Sequence, residues 1–193
     1  MSEIVSSGIP DASFVRGGVP MTKQEVRAVI LSQLQLEQNS IIYDLGAGTG
    51  SVAIEMALLS KRGKVWAIEK NSEGIKLIHE NARRFGISNL EVVEGEAPFV
   101  LNKLPQADRA FIGGSGGKLK QILTEVDRRL NPGGRIVISA ITIDTLYKAA
   151  ESFEAMAYNY EGILMQSSRM KKRGKSLMWE GLNPIHIITG TKQ

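Results

Sequence analysis

The sequence predicts an α/β fold with a mainly parallel, doubly wound sheet and an antiparallel strand near the C-terminus. The first observation is a short apolar run, Ile41–Leu45, that leads into three glycines at alternate positions and then into a helical pattern. The second is that further strand-like segments alternate with helical patterns along the middle of the chain. The third is a β-rich C-terminal region, Gly162–Met165 and Ile185–Thr189, whose hairpin is expected to add an antiparallel strand at one edge.

Composition narrows the class of protein. The 193 residues, 42% of them hydrophobic, suffice for one core, so we expect a single domain over residues 1–193. The absence of cysteine excludes disulfides and thiolate chemistry, and two histidines, His79 and His186, disfavour a zinc site, so no metal is expected. Without a signal peptide or a long apolar run, a cytoplasmic protein is expected. The net charge of +4 is a weak indication of an anionic partner.

The N-terminal segment, residues 1–21, is rich in glycine and proline and has no periodicity. This predicts a lid-like loop, or alternatively a disordered tail anchored by Phe14. Thr22 then has the features of a helix N-cap, because Glu25 follows at capping-box spacing and apolar residues recur at helical intervals as far as Leu36. A cap explains Thr22 without a ligand.

The glycine-rich turn Gly46–Gly50 lies between the first strand and a helix predicted over 52–60. Its glycines allow a sharp turn and close approach of a ligand, and the helix offers unpaired N–H groups. Open α/β sheets bind ligands at this place. Glu69 ends the second strand, Lys64–Glu69, at the spacing expected for an acid that accepts hydrogen bonds from ribose hydroxyls. The alternative for Glu69 is an ordinary solvated side chain at a strand end.

Two later strands also end in loops that can border the ligand. A helix over 71–85 and the strand Leu90–Glu94 lead to Gly95–Pro98, where backbone groups or Glu96 could contact an adenine edge, although a plain turn explains the loop equally well. The strand Asp108–Ile112 leads to Gly113–Gly117, four glycines around one serine. This composition favours a backbone that approaches a bulky substrate over a merely flexible turn.

The remaining elements complete the alternation. They are a helix over 119–130, a sharp turn over 131–134, the strand Arg135–Ala140, a helix over 144–156 and the closing strands. Between those closing strands lies a basic loop, Arg169–Lys175, which is either a solvated hairpin tip or a substrate-binding element.

The ligand of the glycine turn is either a dinucleotide or S-adenosylmethionine. A dinucleotide fingerprint has the pattern G-x-G-x-x-G, whereas Ser51 stands where its third glycine belongs. Asp44, beside the turn, would repel a pyrophosphate but suits a ligand that carries an ammonium and a sulfonium. The pattern hhDLGAGTG resembles the first motif of the Rossmann-like class I methyltransferases, which is specific for S-adenosylmethionine but not for the acceptor.

Five sequence motifs follow one another along the chain: Gly8–Arg16, Pro20–Arg27, Asp44–Gly50, Gly113–Gly117 and Asn131–Arg135. With this order the chain closely resembles the cobalt-precorrin C15-methyltransferase (decarboxylating) family of cobalamin biosynthesis, in its stand-alone form. The resemblance covers nearly the whole chain. It implies methylation of carbon 15 and loss of carbon dioxide from the ring C acetate, and it suggests a homotetramer. Ala47 and Glu69 differ from residues common in relatives, but neither changes the implied chemistry.

The resemblance also implies roles for single residues. The implied S-adenosylmethionine contacts are Thr22, Asp44, Gly46, Ala47, Gly48, Thr49, Gly50, Glu69 and Ala97. The implied contacts of a tetrapyrrole with many carboxylates are Arg16, Lys23, Gly114, Ser115, Gly116 and the basic loop. The catalytic acid is not identified, and Asp11, Glu25 and Ser115 are its candidates.

Two other functions fit the residues. The excess of basic over acidic residues and the Lys/Arg loop are compatible with a tRNA base methyltransferase. The glycine turn is also compatible with a cofactor-binding subunit of a larger enzyme. The resemblance favours a small-molecule tetrapyrrole as the partner, with no nucleic acid and no membrane.

Overall fold

A computed structural model describes residues 7–193, and five α-helices and nine β-strands lie within them. The helices are α1 Gln24–Leu34, α2 Ser51–Leu59, α3 Ser72–Arg84, α4 Leu119–Asp127 and α5 Ile143–Ala155. The strands are β1 Ile41–Leu45, β2 Lys64–Glu69, β3 Leu90–Glu94, β4 Ala107–Ile112, β5 Leu130–Ala140, β6 Asn159–Met165, β7 Ser168–Arg173, β8 Ser176–Gly181 and β9 Ile185–Thr191.

Within the described residues, seven strands form one sheet in the order β3-β2-β1-β4-β5-β9-β6. Strands β1 to β5 pair in parallel, and β9 is antiparallel to both of its neighbours. This confirms the predicted α/β class and the antiparallel C-terminal strand. Because β1 to β5 are parallel, the loops that follow them meet at one edge of the sheet.

Helices cover both faces of this sheet. On one face α1, α2 and α3 contribute Ile30, Met56 and Ile78 to the core, and on the other face α4 and α5 contribute Leu123 and Phe153. These side chains are fully buried, which accounts for the apolar periodicity of the helical segments. Across residues 7–193, none of the helices has both the length and the apolar character that crossing a bilayer requires.

The segment before α1, residues 8–23 and here called the strap, is held against the helices. Phe14 is buried, with its ring 4.9 Å from that of Phe85, and the backbone of Val15 exchanges two hydrogen bonds with the Asn81 side chain. Phe14 is therefore an anchor, as one of the two alternatives predicted, and these contacts hold the strap against α3. Residues 1–6 of the predicted lid lie outside the described part of the chain.

The predicted N-cap at Thr22 is wrong. Helix α1 begins after Lys23, and no side chain at that position caps it. The carboxylate of Asp11 instead accepts the N–H of Gln24 at 2.9 Å, so the capping group comes from the strap rather than from the adjacent residue. Local spacing could not reveal this because the acceptor lies 13 positions upstream.

The predicted C-terminal hairpin lies at one edge of the sheet, where β9 pairs antiparallel with β5 and with the edge strand β6. Two other predicted segments differ from the structure. The predicted basic loop Arg169–Lys175 is mostly strand β7, which pairs with β8 in a separate two-stranded hairpin. The predicted turn over 131–134 falls inside the bounds of β5, at a register irregularity of its pairing with β4.

Candidate functional site

A cavity of about 650 Å³ lies at the edge where the parallel strands end. Its wall includes the residues that follow four strands, Gly46–Gly48, Glu69–Asn71, Gly95–Ala97 and Gly113–Gly116, together with the end of the strap, Val19–Lys23. A cavity of this volume is within the usual range for small-molecule sites.

The sheet order divides this wall into two ends. The loops after β1, β2 and β3 lie toward one side of the sheet, and we call their part the glycine-turn end. The other part, here called the distal end, is formed after β5 and around β6 and β9 by Ile141, Met165, Leu182 and Ile185, with Asn183 among them. The distal end is mainly apolar, whereas the glycine-turn end carries the acids Glu69 and Glu96.

Two glycine loops touch each other in the middle of the wall. Gly46 has φ +74°, and a Cβ atom there would lie 2.8 Å from the carbonyl oxygen of Gly114 and 2.9 Å from its nitrogen, so only glycine fits. A Cβ atom on Gly114, by contrast, would meet nothing within 4 Å. Packing within the chain thus explains the glycine at 46 but not the one at 114. The backbone of Gly114 lies open to the cavity.

Glu69 closes strand β2 with its carboxylate on the glycine turn. One oxygen accepts the N–H of Gly48 at 2.8 Å, and the other accepts the N–H groups of Lys70 and Asn71 at 2.9 and 2.8 Å. These bonds fix the carboxylate orientation, because each oxygen is held by backbone donors of a rigid loop. The carboxylate therefore presents a preorganised acceptor in the cavity wall.

Asp44 is completely buried at the end of β1. Within residues 7–193, neither of its carboxylate oxygens has a hydrogen-bond partner, and the hydroxyl of buried Thr49 also lacks one. Burial raises the pKa of Asp44 to about 7, and the nearby charge of Glu69 adds to the shift. Unpaired buried polar groups are uncommon in native proteins, and Asp44 and Thr49 flank in sequence the glycine turn that lines the cavity.

Glu96 lies between two lysines at the rim. Lys118 donates to one oxygen at 2.6 Å and Lys70 donates to the other at 2.9 Å. These hydrogen bonds, with that of Lys118 the stronger, lower the pKa of Glu96 and keep it ionised. The loop after β3 thus presents a fixed carboxylate in the cavity wall.

Ten of the residues predicted for the site line the cavity: Thr22, Lys23, Gly46, Ala47, Gly48, Glu69, Ala97, Gly114, Ser115 and Gly116. Asp44, Thr49 and Gly50 are buried and do not form part of the wall. Arg16 is exposed outside it, where its Nε donates to the Asp11 carbonyl at 3.2 Å.

Two of the three candidate acids also lie outside the wall. Burial alone would raise the pKa of Asp11, but hydrogen bonds from Arg169 and Arg27 outweigh it and lower the pKa. The hydrogen bond from Arg169 likewise lowers the pKa of Glu25. Both carboxylates are therefore ionised near neutral pH and paired with arginine, and among the three candidates only Ser115 borders the cavity.

Sequence reasoning missed the distal end. Ile141 is exposed directly after β5, and Ser139, Met165 and Asn183 complete this part of the wall. The position of Ile141 past the end of a parallel strand was a usable signal. Ser139 lies near the end of the same strand, whereas Met165 and Asn183 depend on the insertion of β9 between β5 and β6, which no local pattern encodes. Residues 7–193 contain no cluster of three or more side chains able to hold a metal ion.

The comparisons with known proteins give matches over nearly the whole chain. Residues 10–192 match the family described as precorrin methyltransferase domain. A relative from Sulfurisphaera tokodaii, named probable cobalt-precorrin-6B C(15)-methyltransferase (decarboxylating), is 39% identical over 96% of this chain and 97% of its own length.

Solved structures agree with the sequence relatives. The precorrin-6y C5,15-methyltransferase from Geobacter metallireducens superposes with a TM-score of 0.94 at 42% identity and full coverage of both chains. Precorrin 8w decarboxylase from Methanobacterium thermoautotrophicum gives 0.89 at 34% identity, covering 94% of this chain and 98% of its own. A tRNA (m1A58) methyltransferase from Aquifex aeolicus, at 19% identity over 93% of this chain and 72% of its own, has a TM-score of 0.77 and shares the fold alone.

Proposed function

Since the chain belongs to the precorrin methyltransferase family, we propose that it methylates carbon 15 of a cobalt-precorrin with S-adenosylmethionine and decarboxylates the ring C acetate. The observation that carries the proposal is the contact between the two glycine loops, at Gly46 and Gly114, in the wall of one cavity. This contact brings a cofactor-type turn and an open backbone together, as a transfer between two ligands requires.

The residues of the glycine-turn end fit S-adenosylmethionine. Glu69 offers a fixed carboxylate for the ribose, and we assign the adenine to the loop Gly95–Ala97, which lines the cavity. The unpaired carboxylate of Asp44 favours a ligand with positive charge over a pyrophosphate. When bound, this cofactor supplies a methyl group already activated on a sulfonium. The protein's task is alignment, where entropy savings can reach roughly 7–11 kcal/mol.

The distal end fits the tetrapyrrole. Its apolar side chains suit the flat face of a macrocycle, and the open backbone at Gly114 allows close approach. Lys23 lines the cavity and has no carboxylate partner among residues 7–193, whereas Lys70 is paired with Glu96. We therefore assign a substrate carboxylate to Lys23. Arg16 is a weaker candidate for this contact, because it lies outside the wall.

Decarboxylation needs a held carboxylate and a proton for the ring. Asp11 and Glu25 are poor proton donors because both are ionised and paired with arginine. The Ser115 hydroxyl lies in the wall and can donate a hydrogen bond to the departing carboxylate. In this proposal Ser115 positions the acetate while the bond between its methylene and carboxylate carbons breaks and carbon dioxide leaves. The conjugated macrocycle holds the electron pair until a proton from water converts the methylene carbon to a methyl group.

The direct test is turnover by the purified chain. Incubation with a cobalt-precorrin-6B substrate and a methyl-labelled donor should give a product that gains one labelled methyl group and loses one carbon dioxide. The metal-free precursor, assayed in parallel, decides whether cobalt is required. No mass change with either substrate would contradict the proposal. Turnover by this single chain would also exclude the hypothesis that it is only a cofactor-binding subunit of a larger enzyme.

The alternative is methylation of a tRNA base, which the overall charge of +4 favours. Most cations of the hairpin are paired, since Lys171 and Arg173 contact Glu180 and Arg169 contacts acids of the strap and α1. A tRNA substrate predicts binding that weakens steeply with salt. Retention of tRNA at low salt together with methyl transfer to it would favour this alternative. Homotetramer assembly and a cytoplasmic location stay proposals, testable by light scattering and by fractionation of cells.

A further inference from the structure

Five charged side chains form one network outside the cavity wall: Asp11, Glu25, Arg27, Glu55 and Arg169. They come from the strap, α1, α2 and the hairpin. The strap motif around Asp11 has no direct contact with the cavity, so its purpose is not explained by cofactor or substrate binding.

One half of the network is completely buried. Arg27 is 0% exposed, and its Nε donates to Glu55 at 2.7 Å while Nη1 donates to Asp11 at 2.9 Å. The same guanidinium also donates to the carbonyl groups of Ile9 and Thr22. Because removal of one partner would strand a buried charge, this half is costly to break and holds the strap on α1 and α2.

The other half is partly exposed and is formed by Arg169 of strand β7. Its Nε donates to Glu25 at 2.8 Å, and its Nη2 donates to Glu25 at 2.6 Å and to Asp11 at 2.9 Å. The Arg169 side chain is 34% exposed and that of Glu25 is 37% exposed. We call this half the clamp. An ion pair that reaches water can open, unlike the buried half.

The clamp is what ties the hairpin to the rest of the chain. Among residues 7–193, the side chains of β7 and β8 make no hydrogen bond or ion pair outside the hairpin except through Arg169. Met170 and Trp179, cross-strand neighbours, are 58% and 72% exposed. A two-stranded hairpin without a packed face is only marginally stable, so its position depends on this contact.

Both elements joined by the clamp continue into the cavity wall. Ser167 and Leu182 lie at the base of the hairpin, paired by a 2.9 Å hydrogen bond, and both line the distal end. On the other side, Val19–Lys23 of the strap lies between Asp11 and Glu25 in sequence and also lines the cavity. The clamp therefore connects two parts of the wall that are far apart along the chain.

We propose that Arg169 is a positioning residue for the acceptor, which acts through Asp11 and Glu25 to hold the hairpin base against the strap. The closed clamp gives the distal end a fixed width, and its opening widens the entrance for a broad, flat macrocycle. This inference rests on the proposed function for the identity of the acceptor. It does not use Arg169 as a ligand of substrate carboxylates, because two protein carboxylates already occupy its guanidinium.

Hydrogen exchange of the unliganded full chain tests the clamp without any substrate. In Arg169→Met and in Glu25→Gln, the amide of Leu182 and the cross-strand amides of β7 and β8 should exchange at least tenfold faster than in the wild type. Arg173→Met is the matched control, because Arg173 lies on the same strand and contacts Glu180 within the hairpin. In Arg173→Met, the amides at the hairpin base should exchange at the same rates as in the wild type. Equal exchange at the base in Arg169→Met and in the wild type would overturn the proposal.

Kinetics then separate positioning from a merely structural role. In Arg169→Met, kcat/KM for the cobalt-precorrin should fall at least tenfold, while the Kd for S-adenosylmethionine stays within threefold, because Arg27 still holds Thr22. Arg169→Lys keeps the charge but not the bidentate contact, so its kcat/KM should lie between those of the wild type and Arg169→Met. A loosened hairpin with unchanged acceptor kinetics would refute the positioning role. If the wild type has no turnover, the proposed function fails, and the exchange experiment still decides whether the clamp exists.

Discussion

The buried acid Asp44 should make the unliganded protein less stable as the pH rises, and Asp44→Asn should remove this effect. The pKa of Asp44 is raised to about 7 from an ordinary value of 3.8. At pH values below its unfolded-state pKa, an acid with a raised folded-state pKa does not affect stability, because it is protonated in both states. Its destabilisation grows between pH 4 and pH 7 and is complete above the folded pKa.

The magnitude follows from these two values. A shift of one pKa unit corresponds to about 1.36 kcal/mol. The free energy of unfolding of the wild type should therefore fall by about 4 kcal/mol, relative to that of Asp44→Asn, between pH 4 and pH 8. For a chain of this size that corresponds to a change of roughly 8–16 °C in the difference between the two melting temperatures. Asparagine is the suitable replacement because it keeps the shape and cannot ionise.

The assay is calorimetry of both proteins, without ligand, at several pH values from 4 to 8. Only the difference between them matters, since the pH dependence of groups that do not interact with Asp44, including Asp11 and Glu96, cancels in it. A difference that stays constant across this range would refute the reasoning and mean that Asp44 is ionised at an ordinary pKa. With S-adenosylmethionine present, wild-type binding should strengthen as the pH rises toward 7, and binding to Asp44→Asn should be weaker.

Two further predictions concern the glycine-turn end of the cavity and the loop at Gly114. Glu69→Ala should weaken S-adenosylmethionine binding by about 1.5–3 kcal/mol, or roughly ten- to 150-fold in Kd by calorimetry, because the ribose bonds are lost. Glu94→Ala is its control, since Glu94 lies opposite Glu69 at the end of β3 but outside the wall, and unchanged affinity in Glu69→Ala would refute the assignment. Gly114→Ala should change the unfolding free energy by less than about 1 kcal/mol, because its Cβ meets nothing, yet lower methyl transfer at least tenfold. Gly162→Ala, equally unobstructed but in β6, should keep full activity, and an active Gly114→Ala would contradict an acceptor role for this loop.

The sequence alone was sufficient for features that depend on neighbours along the chain. The strand, the three glycines and the following helix mark the turn at Gly46–Gly50, and their spacing to Glu69 marks the next strand end. Both signals are local, because a strand–turn–helix unit restricts which residues can stand at each step. For the same reason the order of strands and helices, and therefore the fold class, was predicted correctly, and ten of the predicted site residues line one cavity.

Tertiary structure alone decided the features that depend on residues far apart in the sequence. Asp11 displaced Thr22 as the cap of α1, and it meets Arg169 from a position 158 residues away. The raised pKa of Asp44 arises from complete burial, which no composition reveals. The insertion of β9 between β5 and β6 built the distal end of the cavity. Periodicity reports the environment of one element, whereas caps, ion pairs and cavity walls are set by which elements meet in space.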